Sequence, residues 1–409
     1  TDVPRSGLHQ VFTFGAGAVL VSLAWAWFRR ARLSARRALP RHATVGEECS
    51  YTVEVVNEGR ASLKSWRLWD RVPDPRPSLE RFVGSREPGE EKRNRFDRLF
   101  VYYRWKWLLE GRLLFRGGRS RVGGKLAAGE RVMVRIALIP QRRGVAHLDD
   151  LRVQLPDPLG LFHRCRRVKA AEQSLVVLPR RYPLPPLELP GTGCMQLGGE
   201  SGSNTMGESS EFLGLREYQA GDPLRHVHWK AWAKTGEPIV KEFEDTYFPR
   251  YGLVLDNFVR PGDEVLFEEA VSVAASFAAT VETETVLLDL MFVQDQAVSV
   301  SVGRGVARAE KMLEVLAGVE ARSEADFRSL RELVGRHADG MSTCLCVFTE
   351  WSEERAKFLQ ALAGMGLSTV TLVVCRDEKP IVAGKSGPPP VGRVVYLEEG
   401  SIREGLMRL

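Results

Sequence analysis

From Val11 to Phe28 the chain carries no charged side chain over 18 positions. As a helix this run, VFTFGAGAVLVSLAWAWF, would be roughly 27 Å long at ~1.5 Å per residue, close to the ~30 Å hydrocarbon layer of a bilayer. Trp25, Trp27 and Phe28 stand where an aromatic belt would lie, and Arg29, Arg30, Arg32, Arg36, Arg37 and Arg41 follow. Positive charge resists export, so residues 1–41 are expected to be a transmembrane anchor with a basic juxtamembrane segment, its C-terminal side cytoplasmic. A cleaved signal peptide would carry its charge before the apolar run; a buried core helix is the remaining reading. Because the chain begins with Thr1, an earlier span forming a hairpin with this one is left open.

Beyond the arginines the period shortens to two. Tyr51, Val53 and Val55 alternate with Thr52 and Glu54, which predicts a half-buried strand. SLKSWRLWDRVPD, ERVMVRIALIPQRRG and AHLDDLRVQLPDPLG repeat the pattern between Gly/Pro turns. A β-sandwich without strong helices is expected over 42–181. Residues 84–125 interrupt it with a charged loop, then an aromatic, arginine-rich stretch expected as another strand pair. Its positive charge suits an anionic partner or the inner membrane surface, and a solvated loop with edge strands explains it equally well. Residues 182–209, rich in Pro, Gly and Ser, read as a linker.

From 248 to 409 short apolar runs such as YGLVLDNF, ETVLLDLMFV, STCLCVFTE and STVTLVVCR alternate with amphipathic stretches of helical period. That alternation predicts an α/β domain with a parallel sheet covered on both faces. Ligands of such sheets bind beyond the carboxyl ends of the strands.

Composition changes little: 44% hydrophobic, 27% charged, net charge +6, ordinary for a globular chain. The six cysteines, Cys49, Cys165, Cys194, Cys344, Cys346 and Cys375, fit neither a zinc site nor a disulfide framework. Cys344 and Cys346 read as small core residues of a strand, compatible with a reducing compartment.

The candidate chemistry sits in residues 210–247. In EYQAGDPLRHVHWKAWAKTGEPIVKEFE, Asp222 and Pro223 predict a helix start and Gly236 its stop. Along that helix Arg225, His228 and Trp232 would share a stripe with Trp229 beside it, and Lys230 with Lys234 another. Three readings compete. Tryptophans and cations could hold nucleic acid, but Glu217, Asp222, Glu237, Glu242, Glu244 and Asp245 would repel its backbone, so none is expected. Catalysis would need a base set against a nucleophile or metal, and His226 and His228, two apart on a helix, diverge. A structural clasp would bury the tryptophans and pair Arg225 and Lys230 with carboxylates.

The stretch Glu211 to Glu244 closely resembles the signature of domain-of-unknown-function family 58, membrane-anchored bacterial and archaeal proteins associated with MoxR-type AAA+ ATPases. The order of parts is also similar: apolar anchor, β-rich region with RRG and DPLGLF (Asp157 to Phe162), signature, then a von Willebrand A-like domain. The resemblance implies a Rossmann-type α/β fold and a scaffold or adaptor role rather than a reaction. Domains of the A type often hold Mg²⁺ through a D-x-S-x-S loop, a Thr and a later Asp. Here Asp256 matches the first ligand, Phe258 and Arg260 occupy the serine positions, and Glu350 stands for the later aspartate. The metal site is therefore expected to be degenerate, with Asp256 and Glu350 its weak remaining candidates. Asp256 alternatively pairs with Arg260 or caps a helix.

The reading as a whole is a non-enzymatic protein of the inner (cytoplasmic) membrane with a cytoplasmic body. A MoxR-type ATPase or its clients would be its partners, and it would need no cofactor. Arg216, Asp222, Arg225, His228, Trp229, Lys230 and Glu242 are its interaction residues. A hydrolase-like enzyme using the His/Lys/Glu cluster, or a Mg²⁺-dependent ligand-binding domain, are the alternatives.

Overall fold

A computed structural model describes residues 7–28, 31–71, 75–87, 89–121, 123–185, 212–222, 224–243, 250–260, 262–280, 287–294, 296–302, 306–322, 327–376 and 392–409. The expected linker lies almost wholly outside the described residues, as do Arg29, Arg30, Pro223, Glu244 and Asp245. The chain divides into two compact units: residues 1–183 with 257–279 and 309–324, and residues 184–256 with 280–308 and 325–409.

The first unit opens with helix α1 (Gly7–Phe28), followed by strands β1 (Leu33–Ala38), β2 (His42–Thr44), β3 (Cys49–Asn57) and β4 (Arg67–Arg71). Helices α2 (Leu79–Gly84), α3 (Arg95–Phe100) and α4 (Tyr102–Glu110) come next. Seven further strands complete it: β5 (Phe115–Ser120), β6 (Arg131–Pro140), β7 (Gly144–Leu148), β8 (Asp150–Pro156), β9 (His163–Arg167), β10 (Lys169–Ala170) and β11 (Gln173–Leu178). An eight-stranded sheet in the order β10-β1-β3-β6-β5-β4-β8-β9 faces a three-stranded sheet in the order β2-β11-β7. Their inner faces share one core that includes Val53, Leu68, Ile136 and Leu151 from the larger sheet and Leu148, Leu175 and Val177 from the smaller. These inward residues fall at alternate positions, which is why the period of two was visible in the sequence.

Two expectations fail here. The stretch after residue 84, where α2 ends, contains a 3-10 turn (Glu90–Lys92), helices α3 and α4 and one strand rather than a loop and a strand pair. Ser78 and Asn94 cap α2 and α3 through their side chains, and ion pairs Arg93–Glu87 and Arg104–Glu90 tie the helices down. Local capping and salt links thus replace a hydrophobic face as the source of order. The basic cluster is also not all juxtamembrane. Arg37 points into the sandwich, where its guanidinium donates to both oxygens of Asp70 at 2.7 and 2.9 Å, and the Tyr51 hydroxyl donates to the same carboxylate. Burial, then Asp70, push the Tyr51 phenol far above its ordinary value, so it stays a donor.

Helix α6 (Glu264–Thr280) and the larger part of α7 (Val306–Gly318) group with this unit. Arg143, from the QRRG turn before β7, has a side chain only 6% exposed. It pairs with Glu268 at 2.5 Å and donates to the carbonyls of Leu316 and Val319 at the end of α7. The last carbonyls of a helix are open acceptors at the negative end of its dipole, so a guanidinium suits them. His42 contacts Glu314 at 2.6 Å, and Tyr182 donates its N–H to Ser276 and its hydroxyl to Glu269.

The second unit holds a hairpin of β12 (Phe212–Glu217) and β13 (Ile239–Phe243) with helix α5 (Trp229–Thr235) between its strands. Its main sheet contains β14 (Arg250–Leu255), β15 (Leu287–Val293), β16 (Ala297–Val302), β17 (Thr343–Phe348), β18 (Ser368–Cys375) and β19 (Arg393–Glu398). The order is β16-β15-β14-β17-β18-β19, parallel throughout except for β16. Strand β17 is buried at every position, as expected for a central strand covered on both faces. Helices α8 (Phe327–His337), α9 (Glu353–Gly364) and α10 (Ile402–Leu406) belong to this unit. Phe327, Phe348 and Phe358 meet edge to face between α8, β17 and α9.

Candidate functional site

The signature folds as a capped hairpin. Strands β12 and β13 pair antiparallel, Arg216 opposite Val240 and Glu217 opposite Ile239. After β12 the chain makes a single 3-10 turn, Leu224–His226. Val227 then bridges to Val240, and the His228 N–H donates to the Ile239 carbonyl at 2.8 Å. Val227 and Val240 are buried, at 5% and 2% exposure, and they anchor the small motif.

The α-helix begins later than the sequence suggested. Asp222 does not cap it: its carboxylate takes a two-pronged hydrogen bond from Arg216, at 2.7 and 2.8 Å, and accepts the Gln219 N–H. The cap is His228, whose Nδ1 accepts the Ala231 N–H at 2.9 Å. That bond requires an unprotonated Nδ1, so this nitrogen is occupied rather than poised as a base. Gly236 ends the helix as expected, at φ 83°, where a side chain would be strained. Because α5 starts at Trp229, Arg225 is not on it, and the stripe expected with His228 and Trp232 does not form. Arg225 donates to the His226 ring at 3.3 Å, and Lys230 is exposed. Glu242 lies on β13 opposite Gly214; its side chain lies outside the described residues.

The tryptophans overturn the clasp expectation. Trp229 is 62% exposed, and Trp232 stacks on it with ring centroids 5.4 Å apart. A seven-residue helix on a two-stranded ribbon offers too little surface to cover two indoles. Leu215 and Leu224, which the sequence reading passed over, are also exposed. They were detectable as apolar residues flanking a turn, yet nothing in their spacing separates them from core positions.

The second candidate region is the end of β14. Asp256 and Arg355 are buried, at 0% and 4% exposure. Arg355 Nε donates to Asp256 at 2.7 Å and its Nη1 to Glu350, also at 2.7 Å. Ser352 caps α9 and holds the same guanidinium at 3.0 Å. The guanidinium stands between the two carboxylates that a Mg²⁺ ion would require, and the donor set does not fit a divalent cation. Among the described residues no group of three or more His, Cys, Asp or Glu is placed to hold a metal. The sequence reading missed Arg355, whose signal was an arginine in the first turn of a helix five residues after Glu350. Cys344 and Cys346 are buried, their sulfurs 3.7 Å apart. The hydrogen bond shared with Cys344, burial and the nearby Asp256 all push the Cys346 thiol well up, so it is an inert core residue at neutral pH.

Helix α1 is 22 residues long, and from His9 to Phe28 it is long and apolar enough to cross a membrane.

Solved structures with local likeness include the CARDB domain of PF1109 from Pyrococcus furiosus (13% identity, 37% of this chain, 97% of that chain, TM-score 0.19). Another is the ASH/PapD-like domain of human CEP192 (15% identity, 36% of this chain, 85% of that chain, TM-score 0.20). At these scores neither carries weight. A curated relative, the uncharacterized protein YeaD of Bacillus subtilis (strain 168), is 26% identical over 248 residues, 59% of this chain. The match spans 58% of that relative's length. Residues 214–379 match the model of the family described as Protein of unknown function DUF58, a stretch that holds nearly all of the signature hairpin and most of the six-stranded sheet.

Proposed function

We propose that the protein is a membrane-anchored, non-enzymatic adaptor, held in the inner membrane by α1 with its body in the cytoplasm. Its α/β part is von Willebrand A-like, and its work is to present a surface to a MoxR-type AAA+ ATPase or to that ATPase's clients. The observation that carries the reading is the stacked, exposed pair Trp229 and Trp232, in a motif where Leu215 and Leu224 are exposed as well. Exposed aromatics on a rigid, internally bonded motif are what interface hot spots are made of. The polar residues around them already bond one another, which suits a platform better than a reaction centre. The strand order with a single antiparallel edge supports the A-like assignment, and Arg355 between Asp256 and Glu350 favours partner binding without a metal bridge.

The test is direct binding of the purified full chain, in detergent, to the MoxR-type ATPase of the same cell. Trp229→Ser with Trp232→Ser is expected to weaken binding at least tenfold while leaving the melting temperature in place. Unchanged binding by that variant, or hydrolytic turnover lost on His228→Ala with stability kept, overturns the reading.

A further inference from the structure

The loop between β8 and β9 is DPLGLF, Asp157–Phe162. Leu159 and Leu161 stand out from it, 56% and 53% exposed. Following the antiparallel registers across the sheet, this loop lies at the same end as the start of β1, where α1 enters. The loop touches the helix itself: Pro158 and Leu159 line one cleft with Phe14, Gly17, Val21 and Ser22. Ser22 lies six residues before Phe28, and Phe14 fourteen before it. At ~1.5 Å per residue the cleft therefore runs from about 9 to about 21 Å below the end of the helix. If α1 spans a bilayer, the loop tip is at the depth of acyl chains.

Irregular backbone survives at that depth only where its polar groups are satisfied internally. This loop meets the condition in part, chiefly through one side chain. Asp157 accepts the Leu159 N–H on one carboxylate oxygen at 3.1 Å and the Phe162 N–H on the other at 2.8 Å. The Asp157 N–H donates to the Phe162 carbonyl and the Gly160 N–H to the Asp157 carbonyl, while Pro158 has no N–H to satisfy. Gly160, at φ 71°, makes the turn that a side chain would strain. Asp157 itself is 5% exposed, so the carboxylate is enclosed by its own loop while the two leucines face out. Immediately beyond, His163 and Arg166 are exposed on β9, and basic side chains there suit lipid phosphates. Arg164 turns back and donates to the carbonyls of Ala26 and Trp27 at the end of α1.

We infer that the β8–β9 loop is a second membrane element, entering the bilayer beside α1 and packing Leu159 and Leu161 against lipid acyl chains. The inference rests on the anchor reading of α1 given above. It is tested with the full chain in vesicles of phosphatidylcholine and phosphatidylglycerol, an NBD fluorophore placed on Leu159→Cys in a Cys165→Ser, Cys194→Ser background. Val145→Cys, exposed on the strand that follows the opposite end of the sheet, is the reference. Doxyl-labelled lipid is expected to quench the fluorophore at 159 on the order of twofold or more beyond that at 145. Protein contact alone would shield the probe without admitting the lipid-borne quencher. Vesicle-bound chain with equal quenching at both positions overturns the inference and leaves the anchor standing. Chain that fails to float with vesicles overturns both. Leu161→Cys provides a second position if Leu159→Cys does not fold.

Discussion

The signature hairpin and the end of β14 hold similar residue types in opposite settings. In the hairpin an arginine and an aspartate pair at the surface, and the apolar rings are left outside. At the end of β14 the arginine and aspartate are interior, and the aromatic rings of Phe327, Phe348 and Phe358 are packed beside them. Burial, rather than residue type, separates the two roles. An interior guanidinium holds a fold together because removing it strands a charge, whereas an exposed one contributes little and leaves its surroundings available for contact.

The largest effect that would break this contrast is at Arg355. Arg355→Ala leaves Asp256 buried without that guanidinium and is expected to lower stability by about 3–5 kcal/mol, read by chemical denaturation. A loss below about 1 kcal/mol would mean that the centre is not structural. Combining Arg355→Met with Asp256→Leu should recover most of the loss, since an apolar replacement of a buried pair is often near neutral. On the hairpin, His228→Ala removes the α5 cap and should cost about 1 kcal/mol; a loss as large as that of Arg355→Ala would erase the distinction. Trp229→Ser with Trp232→Ser should stay within about 0.5 kcal/mol of the parent, and a larger fall would show that the rings are packed in solution. Adding Mg²⁺ or a chelator should leave the melting temperature of the parent chain unchanged, because Arg355 fills the position; a Mg²⁺-dependent rise that Asp256→Ala abolishes would reverse that assignment.

The smallest effect is a pH dependence confined to the hairpin. The Arg216 bond, then the Gln219 N–H, hold the Asp222 carboxyl below the usual carboxylate range. Its contribution is complete above the unfolded-state value of roughly 3.9 and is lost as pH falls through the lower folded-state value. Protection of the Gln219 amide from exchange, relative to its intrinsic rate, should therefore fall only in acid, and in Asp222→Ala it should be lost at neutral pH as well. Slow exchange in that variant would show that the ion pair does not order the turn.

What could be read from the chain follows the same division. The strands β14, β15, β17 and β18 were visible because strands buried on both faces leave continuous apolar runs. The helices α2 to α4 were not, because their order comes from caps and ion pairs that leave no periodic apolar face. Strand β1, LSARRA, was hidden by its arginines, although Leu33, Ala35 and Arg37 share the inward face by alternation. Strand β9, HRCRR, was hidden in the same way. Arg216, Asp222 and His228 fall in one hairpin motif, yet their partners depend on where the helix starts. One misplaced cap moved Arg225 off the helix, and no sequence spacing revealed that Trp229 and Trp232 would remain uncovered. Arg355 escaped because its partners are 5 and 99 residues away, a closure only the fold makes.

Helix α1 is joined to the eight-stranded sheet twice: by chain to β1 near one margin, and through Arg164 to β9 at the other. A stalk held at a single point could swivel. This one is braced at two, so a tilt of α1 becomes a tilt of the sheet. Any load on that sheet would therefore reach α1 directly, with little slack between them.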